Sequence, residues 1–159
     1  RVYSEPGEGT NICIYFPKLD DEITEQAEQE AVVLQNGTER ILLVDDDQMI
    51  VDMMSQVLTD LGYQLTIFSR SKDALAAFSE APENFDLVIT DMTMPKMTGL
   101  DLAKEILHIR QKMPIILCTG YSELITREKA DAIGVKGFLA KPILIEELSK
   151  TVREVLDAA

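Results

Sequence analysis

Between residues 41 and 156 the chain switches five times from a short apolar run to a segment with helical spacing, and few architectures accommodate such alternation. The apolar runs are 41–44, 64–68, 87–90, 115–118 and 137–140, and the helical segments are 48–61, 71–80, 99–111, 123–132 and 145–156. Segment 48–61 places Ile50, Met53, Met54, Val57, Leu58 and Leu61 on a helical period, and Gly62 stops it. A strand, a helix and a further strand make a right-handed crossover between parallel neighbours. The expected fold is therefore α/β, a doubly wound five-stranded parallel sheet with helices on both faces.

In an open parallel sheet, ligands bind beyond the C-terminal ends of the strands. Four of the runs deliver polar groups there. Run 41–44 ends in Asp45, Asp46 and Asp47, and run 87–90 leads straight into Asp91. Run 115–118 is followed by Thr119 and Gly120, and run 137–140 by Lys141 and Pro142. Asp91, at the end of a strand that reads as buried, is a candidate nucleophile. Carboxylates crowded together repel and raise one another's pKa unless a cation intervenes. The natural cation is a hard ion that takes oxygen ligands, Mg²⁺ (or Mn²⁺).

This ordered set of Asp-Asp, Asp, Thr and Lys, each just past a strand, resembles the receiver domain of bacterial two-component response regulators over residues 40 to about 157. The resemblance implies the flavodoxin-like strand order 2-1-3-4-5. It implies that Asp91 is the phosphoacceptor, attacking the phosphorus of a phosphohistidine. Asp46 and Asp91 would ligate the metal directly, Asp45 would act largely through water, and the backbone carbonyl of Thr93 would add an oxygen. Lys141 would bring a second positive charge to the phosphoryl group, Thr119 a hydroxyl donor, and Gly120 room for the phosphate. A cis bond before Pro142 would aim the lysine. The implied switch moves Thr119 toward the phosphoryl group and turns Phe138 inward, a position where the commoner Tyr has a hydroxyl that Phe lacks. Thr93 and Tyr121 would flank the approach of water and set the lifetime of the phosphate. Asp47 stands at the family's variable third acidic position, where capping of the first helix is an equally open reading. Met92, Met94 and Met97 read as packing beside the site, and His108 lies on a helix that leads away from it.

Upstream, Gly7-Glu8-Gly9-Thr10 and the apolar stretch to Pro17 resemble the last turn and strand of a histidine kinase ATP-binding domain, with Ile12, Ile14 and Phe16 expected on one strand face. The expected organisation is a kinase-domain remnant over 1–17, an acidic linker over 18–39 and a receiver over 40–159. Residues 1–39 carry 2 basic and 9 acidic side chains, against 13 and 19 in the remainder, so the front is the more acidic per residue. That order implies the C-terminal receiver of a hybrid sensor histidine kinase, a transferase whose kinase core is incomplete here. The fragment itself would accept a phosphoryl group and slowly hydrolyse it. Its expected partner is a histidine-bearing helical domain of its own or a cognate kinase, or a histidine phosphotransfer domain.

A net charge of -13 argues against nucleic acid, which needs a basic footprint. No apolar run approaches the roughly 18 residues of a membrane span, and the start lacks a secretory core. A cytoplasmic fragment without membrane contact is expected, whether or not a parent kinase is anchored upstream. Cys13 and Cys118 fall in apolar runs without metal spacing and read as buried free thiols. Val51, outside the set Ile50, Met54 and Leu58, is expected to join Met49 in an apolar docking patch. Competing functions are a stand-alone response regulator acting as a binding module and a phosphatase with an aspartate nucleophile. The phosphatase would want a second Asp where Thr93 stands. A Rossmann nucleotide domain fails because Asp45, Asp46 and Asp47 occupy the place of its glycines.

Overall fold

Two units, Arg1–Ala31 and Val32–Ala159, divide the chain in a computed structural model that describes residues 1–15, 34–120 and 130–159. In the first, β1 (Val2–Glu5) and β2 (Gly9–Ile12) pair antiparallel, with Val2 opposite Ile12. Gly7 and Gly9 take φ of 89° and 99°, which sets the tight turn and the register. The strand thus starts and ends earlier than the expected 12–16, and Phe16 lies outside the described residues. Among the described residues of this unit the two-stranded ribbon has no second layer to cover it. Ile12, Ile14 and Cys13 are consequently exposed, so the expectation of a buried Cys13 is wrong.

The second unit holds β3 (Arg40–Val44), β4 (Gln64–Phe68), β5 (Leu87–Asp91), β6 (Ile115–Thr119) and β7 (Gly137–Ala140) in one parallel sheet of order β4-β3-β5-β6-β7. This is the flavodoxin-like order 2-1-3-4-5. Its helices include α1 (Gln48–Asp60), α2 (Ser71–Glu80), α3 (Gly99–Ile109) and α4 (Ile145–Asp157). Strand side chains alternate between the faces. Leu42, Val44, Val88 and Leu117 pack with Phe78 of α2 and Ile106 of α3. Ile41, Leu43, Ile89 and Ile116 pack with Met54 of α1 and Val152 of α4. Burial on both faces explains why these strands read as unbroken apolar runs.

Most of the differences from expectation lie at helix ends and faces. Helix α3 stops two residues before the expected end at 111. There Arg110 turns extended, and its guanidinium donates to the carbonyls of Pro82 and Phe85 at 3.2 and 2.8 Å. Of the helix expected over 123–132, residues 123–129 lie outside the described residues, and 130–133 are helical. Val51 is buried, at 4% exposure, and does not form a surface patch with Met49, which is 81% exposed. The inward stripe of α1 is Val51, Met54, Leu58 and then Leu61, flanked by half-buried Ile50, Met53 and Val57. So wide an apolar arc hides which position is its centre. No helix among the described residues is long and apolar enough to cross a membrane.

At the sheet's N-terminal edge, Asp86 receives three bonds from Arg40, through the backbone N and through Nε and Nη2, at 2.9, 3.0 and 2.8 Å. These bonds hold the Asp86 carboxyl below its usual range despite partial burial. A depressed carboxylate contributes stability above its unfolded pKa of about 4 and loses it as pH falls through the folded value. Asp86→Asn should therefore cost about 1 kcal/mol at pH 7, since both side chains stay partly solvated. The cost should vanish below the folded pKa. Urea midpoints of both chains across that acid range would reveal it, and a constant difference would refute the linkage.

Candidate functional site

Register brings the polar groups together. Val44, Thr90, Leu117 and Phe138 form one rung of the sheet, and Asp91, Cys118 and Leu139 form the next. The side chains that follow this edge converge beyond it. Asp45 is 2% exposed and Asp91 6%, while Asp46 faces solvent. Carboxylate oxygens of all three lie within 4.8 Å of one another.

Lys141 joins the cluster from β7. Its Nζ lies 2.5 Å from Asp91 Oδ1 and 2.9 Å from Asp45 Oδ2. The Lys141-Pro142 bond is cis, as expected, and the Lys141 amide donates to Thr119 O at 2.8 Å. The second Asp91 oxygen accepts from the Thr93 amide at 2.7 Å, and Asp45 Oδ1 accepts from the Asp47 amide at 2.9 Å. Burial raises the pKa of Asp45; bonds from the Asp47 amide and Lys141 counter it, and the Asp91 charge adds to it. Burial works against the charge on Lys141, but the bonds to Asp91 and Asp45 outweigh it and raise its pKa. The ammonium is thus held protonated between two buried carboxylates.

Thr119, Gly120, Phe138 and Thr93, also expected at the site, lie on or just past the strands that lead to this edge. Thr119 is half-buried at the end of β6. A Cβ added at Gly120 would meet no atom of the described residues within 4 Å. Phe138 is half-buried and packs on the cluster that holds Val44 and Leu117. Thr93 is exposed and turned back on Asp91 through its amide; Tyr121 lies outside the described residues. Asp47 caps α1, its side chain accepting from the Met49 amide at 2.9 Å. Met92 and Met94 are buried beside the site, in keeping with packing. Cys118 is a buried free thiol, pushed up to about 12 by burial. The donor set of three carboxylates suits a hard divalent cation, and receiver domains generally bind Mg²⁺ at such an acidic pocket.

Sequence reasoning missed two supports. A Cβ on Gly99 would overlap the Asp91 carbonyl oxygen, so α3 can start against the back of Asp91 only with glycine there. Its amide also donates to Met92 O at 3.0 Å. The signal was a glycine at the first helical position, where it supplies no cap. Buried Ser71 opens α2 and donates to Met97 O at 2.7 Å, tying down the loop after Asp91. Nothing in the sequence pairs residues 71 and 97.

Fold and site together define a receiver. The chain belongs to the response regulator receiver domain family, whose profile matches residues 41–153. It is similar to the sensor kinase CckA of Brucella abortus, 28% identical over 97% of this chain and 17% of that protein. It is also similar to the transcriptional regulatory protein QseB of Haemophilus influenzae, 31% identical over 74% of this chain and 52% of QseB. The chain therefore spans at most about half the length of these two curated relatives. Among solved structures, a receiver domain protein from Clostridium thermocellum superposes with TM-score 0.72 at 32% identity, covering 76% of this chain and 95% of the other. The chemotaxis protein CheY4 of Vibrio cholerae does so with TM-score 0.69 at 32% identity, over 75% and 99%. This chain carries a receiver domain of a two-component system.

Proposed function

We propose that Asp91 accepts a phosphoryl group from phosphohistidine in a phosphorelay, as the C-terminal receiver of a hybrid sensor histidine kinase. The observation that carries this is Lys141, bridging Asp91 and Asp45 at 2.5 and 2.9 Å in a cluster that includes Asp46. An Asp91 oxygen attacks phosphorus as the bond to the imidazole nitrogen breaks, leaving an acyl phosphate and a free histidine. Asp45, Asp46, Asp91 and the Thr93 carbonyl would hold Mg²⁺, which when bound neutralises charge on the transferring oxygens. Lys141, paired with Asp91 at rest, would follow that charge to the phosphoryl group, and Thr119 would donate to it. The conformational switch then involves Thr119 and Phe138.

The hybrid-kinase assignment draws on the first unit. Its hairpin exposes Val2, Tyr3, Ile12, Ile14 and Tyr15, surface that a larger domain would cover. Similarity to a sensor kinase also extends over 97% of this chain, beyond the receiver. With Mg²⁺, either acetyl phosphate or a phosphohistidine-bearing helical domain should add one phosphoryl group, read by intact mass. No mass gain from either donor would end the proposal.

Met49, 81% exposed at the start of α1 beside the acidic cluster, is the residue we assign to docking of the histidine partner. Met49→Glu should slow transfer from the phosphohistidine partner about tenfold, a loss of about 1.4 kcal/mol of contact, while sparing labelling by acetyl phosphate. Equal loss with both donors would point away from docking.

Thr93 and Tyr121 are assigned to phosphate lifetime. Thr93 lacks an amide or carboxylate to orient a water, so Thr93→Asn should alter the dephosphorylation rate severalfold. Decay followed by mass after donor removal tests it, and an unchanged rate would remove Thr93 from this role.

A further inference from the structure

The transfer chemistry leaves unused buried Ser149 and Tyr63 and half-buried Arg153. All three meet residues 34–39, the segment through which the chain enters β3 at the sheet edge opposite the carboxylates. Ser149, 2% exposed within the apolar face of α4, accepts the Gln35 amide on Oγ at 3.0 Å. Arg153 spans Glu39 and Asp157, each at 2.8 Å. Gly37 donates to Leu61 O at 3.0 Å and leaves no space for a Cβ against the Tyr63 ring. The entry segment is strapped to α4 by two side chains and to the end of α1 by its backbone.

Helix α4 begins four residues after Lys141, so the helix that holds the strap through Ser149 and Arg153 follows directly in the chain on the site's lysine. Among the described residues no group reaches the buried Tyr63 hydroxyl with full hydrogen-bond geometry, but Arg153 is near enough to act on it through a side-chain bond as well as charge, and Glu39 through charge. A buried hydroxyl left unsatisfied is costly, and either neighbour could satisfy it by leaving its present pairing. The network thus has a second arrangement within reach.

We infer that α4 couples the state of Asp91 to the hold on residues 34–39, so that a phosphoryl group which draws Lys141 away from the bare carboxylates loosens the strap. The inference rests on Asp91 being the phosphoacceptor. It supplies what a receiver fused behind another domain needs, a differential contact between the phosphorylated site and the chain that leads upstream. Coupling of this kind is reciprocal in binding free energy.

The test is amide hydrogen exchange on the full chain with Mg²⁺, with and without beryllofluoride, a reversible phosphoryl mimic, together with intact-mass labelling by acetyl phosphate. The Gln35 and Gly37 amides should exchange about fivefold faster when beryllofluoride is bound. Ser149→Ala should speed Gln35 exchange without the probe, abolish the response, and bind beryllofluoride about fivefold more tightly. Glu39→Gln, which weakens the ion pair and spares the buried helix face, should shift both readouts in the same direction. Saturated beryllofluoride binding with unchanged or slower exchange at residues 35–37 would overturn the inference alone, as would wild-type affinity in Ser149→Ala. Failure of the wild type to bind beryllofluoride and to gain mass would instead overturn the phosphoacceptor reading, and the inference with it.

Discussion

An Asp91→Asn chain should gain no phosphoryl group from acetyl phosphate under conditions in which the wild type gains one. The amide removes the nucleophile and one of the two anions that hold Lys141 at 2.5 and 2.9 Å. Among the described residues only Asp45 shares both the burial and the lysine contact. Loss of a nucleophile typically costs more than about a thousandfold in rate. Lys141→Ala should fall less far, by about a hundredfold, because it removes stabilisation of the transferring group and leaves the attacking oxygen. The fold should not suffer in Asp91→Asn, since one of three crowded carboxylates disappears and Asn keeps the acceptor that faces the Thr93 amide. Equal mass gain in both chains would end the assignment of Asp91.

Gly99→Ala should be among the most damaging single-methyl changes in the receiver. The new Cβ would overlap the backbone carbonyl of Asp91, and backbone cannot swing aside as a side-chain tip can. Either α3 retreats, breaking its bond from the Gly99 amide to Met92 O, or the end of β5 is pushed toward the cluster. Overpacking of this kind costs about 3 kcal/mol at the upper end of its range. Labelling of Asp91 should slow as well, because a displacement near 1 Å can cost about a hundredfold. Gly120→Ala is the control for stability alone, since its Cβ would meet no atom of the described residues within 4 Å. Urea denaturation should separate the two glycines by most of that difference, and equal midpoints would mean that α3 shifts freely.

The architecture was legible because parallel strands buried on both faces leave an unmistakable record of apolar runs and helical periods. The site was legible for a related reason: each of Asp45, Asp91, Thr119 and Lys141 immediately follows or ends a strand, so chain order alone brought them to one edge. Strand order needed the family resemblance, because periodicity carries no neighbour information. What stayed hidden depended on contacts between distant residues or on which residue centres an apolar arc. The place of Val51 is hidden because seven apolar positions of α1 are consecutive or nearly so. Cys13 is exposed because it follows a short ribbon strand that has no second layer among the described residues of its unit. Ser71, Gly99 and Ser149 act on Met97, Asp91 and Gln35, pairs that no local pattern joins.

Asp45, Asp46 and Asp47 are chemically identical neighbours with different surroundings. The first is buried against Lys141, the second is open to solvent beside Asp91, and the third caps a helix. In a saturation-mutagenesis map the three columns should therefore look unlike one another. Position 47 should accept Ser, Thr or Asn as a cap. Position 45 should reject Asn more strongly than position 47, since a neutral amide leaves Lys141 with less to hold it at rest. A one-residue deletion within the triplet would keep two of its charges and still lose their separate tasks, because what is encoded there is phase relative to the end of β3 rather than acidity.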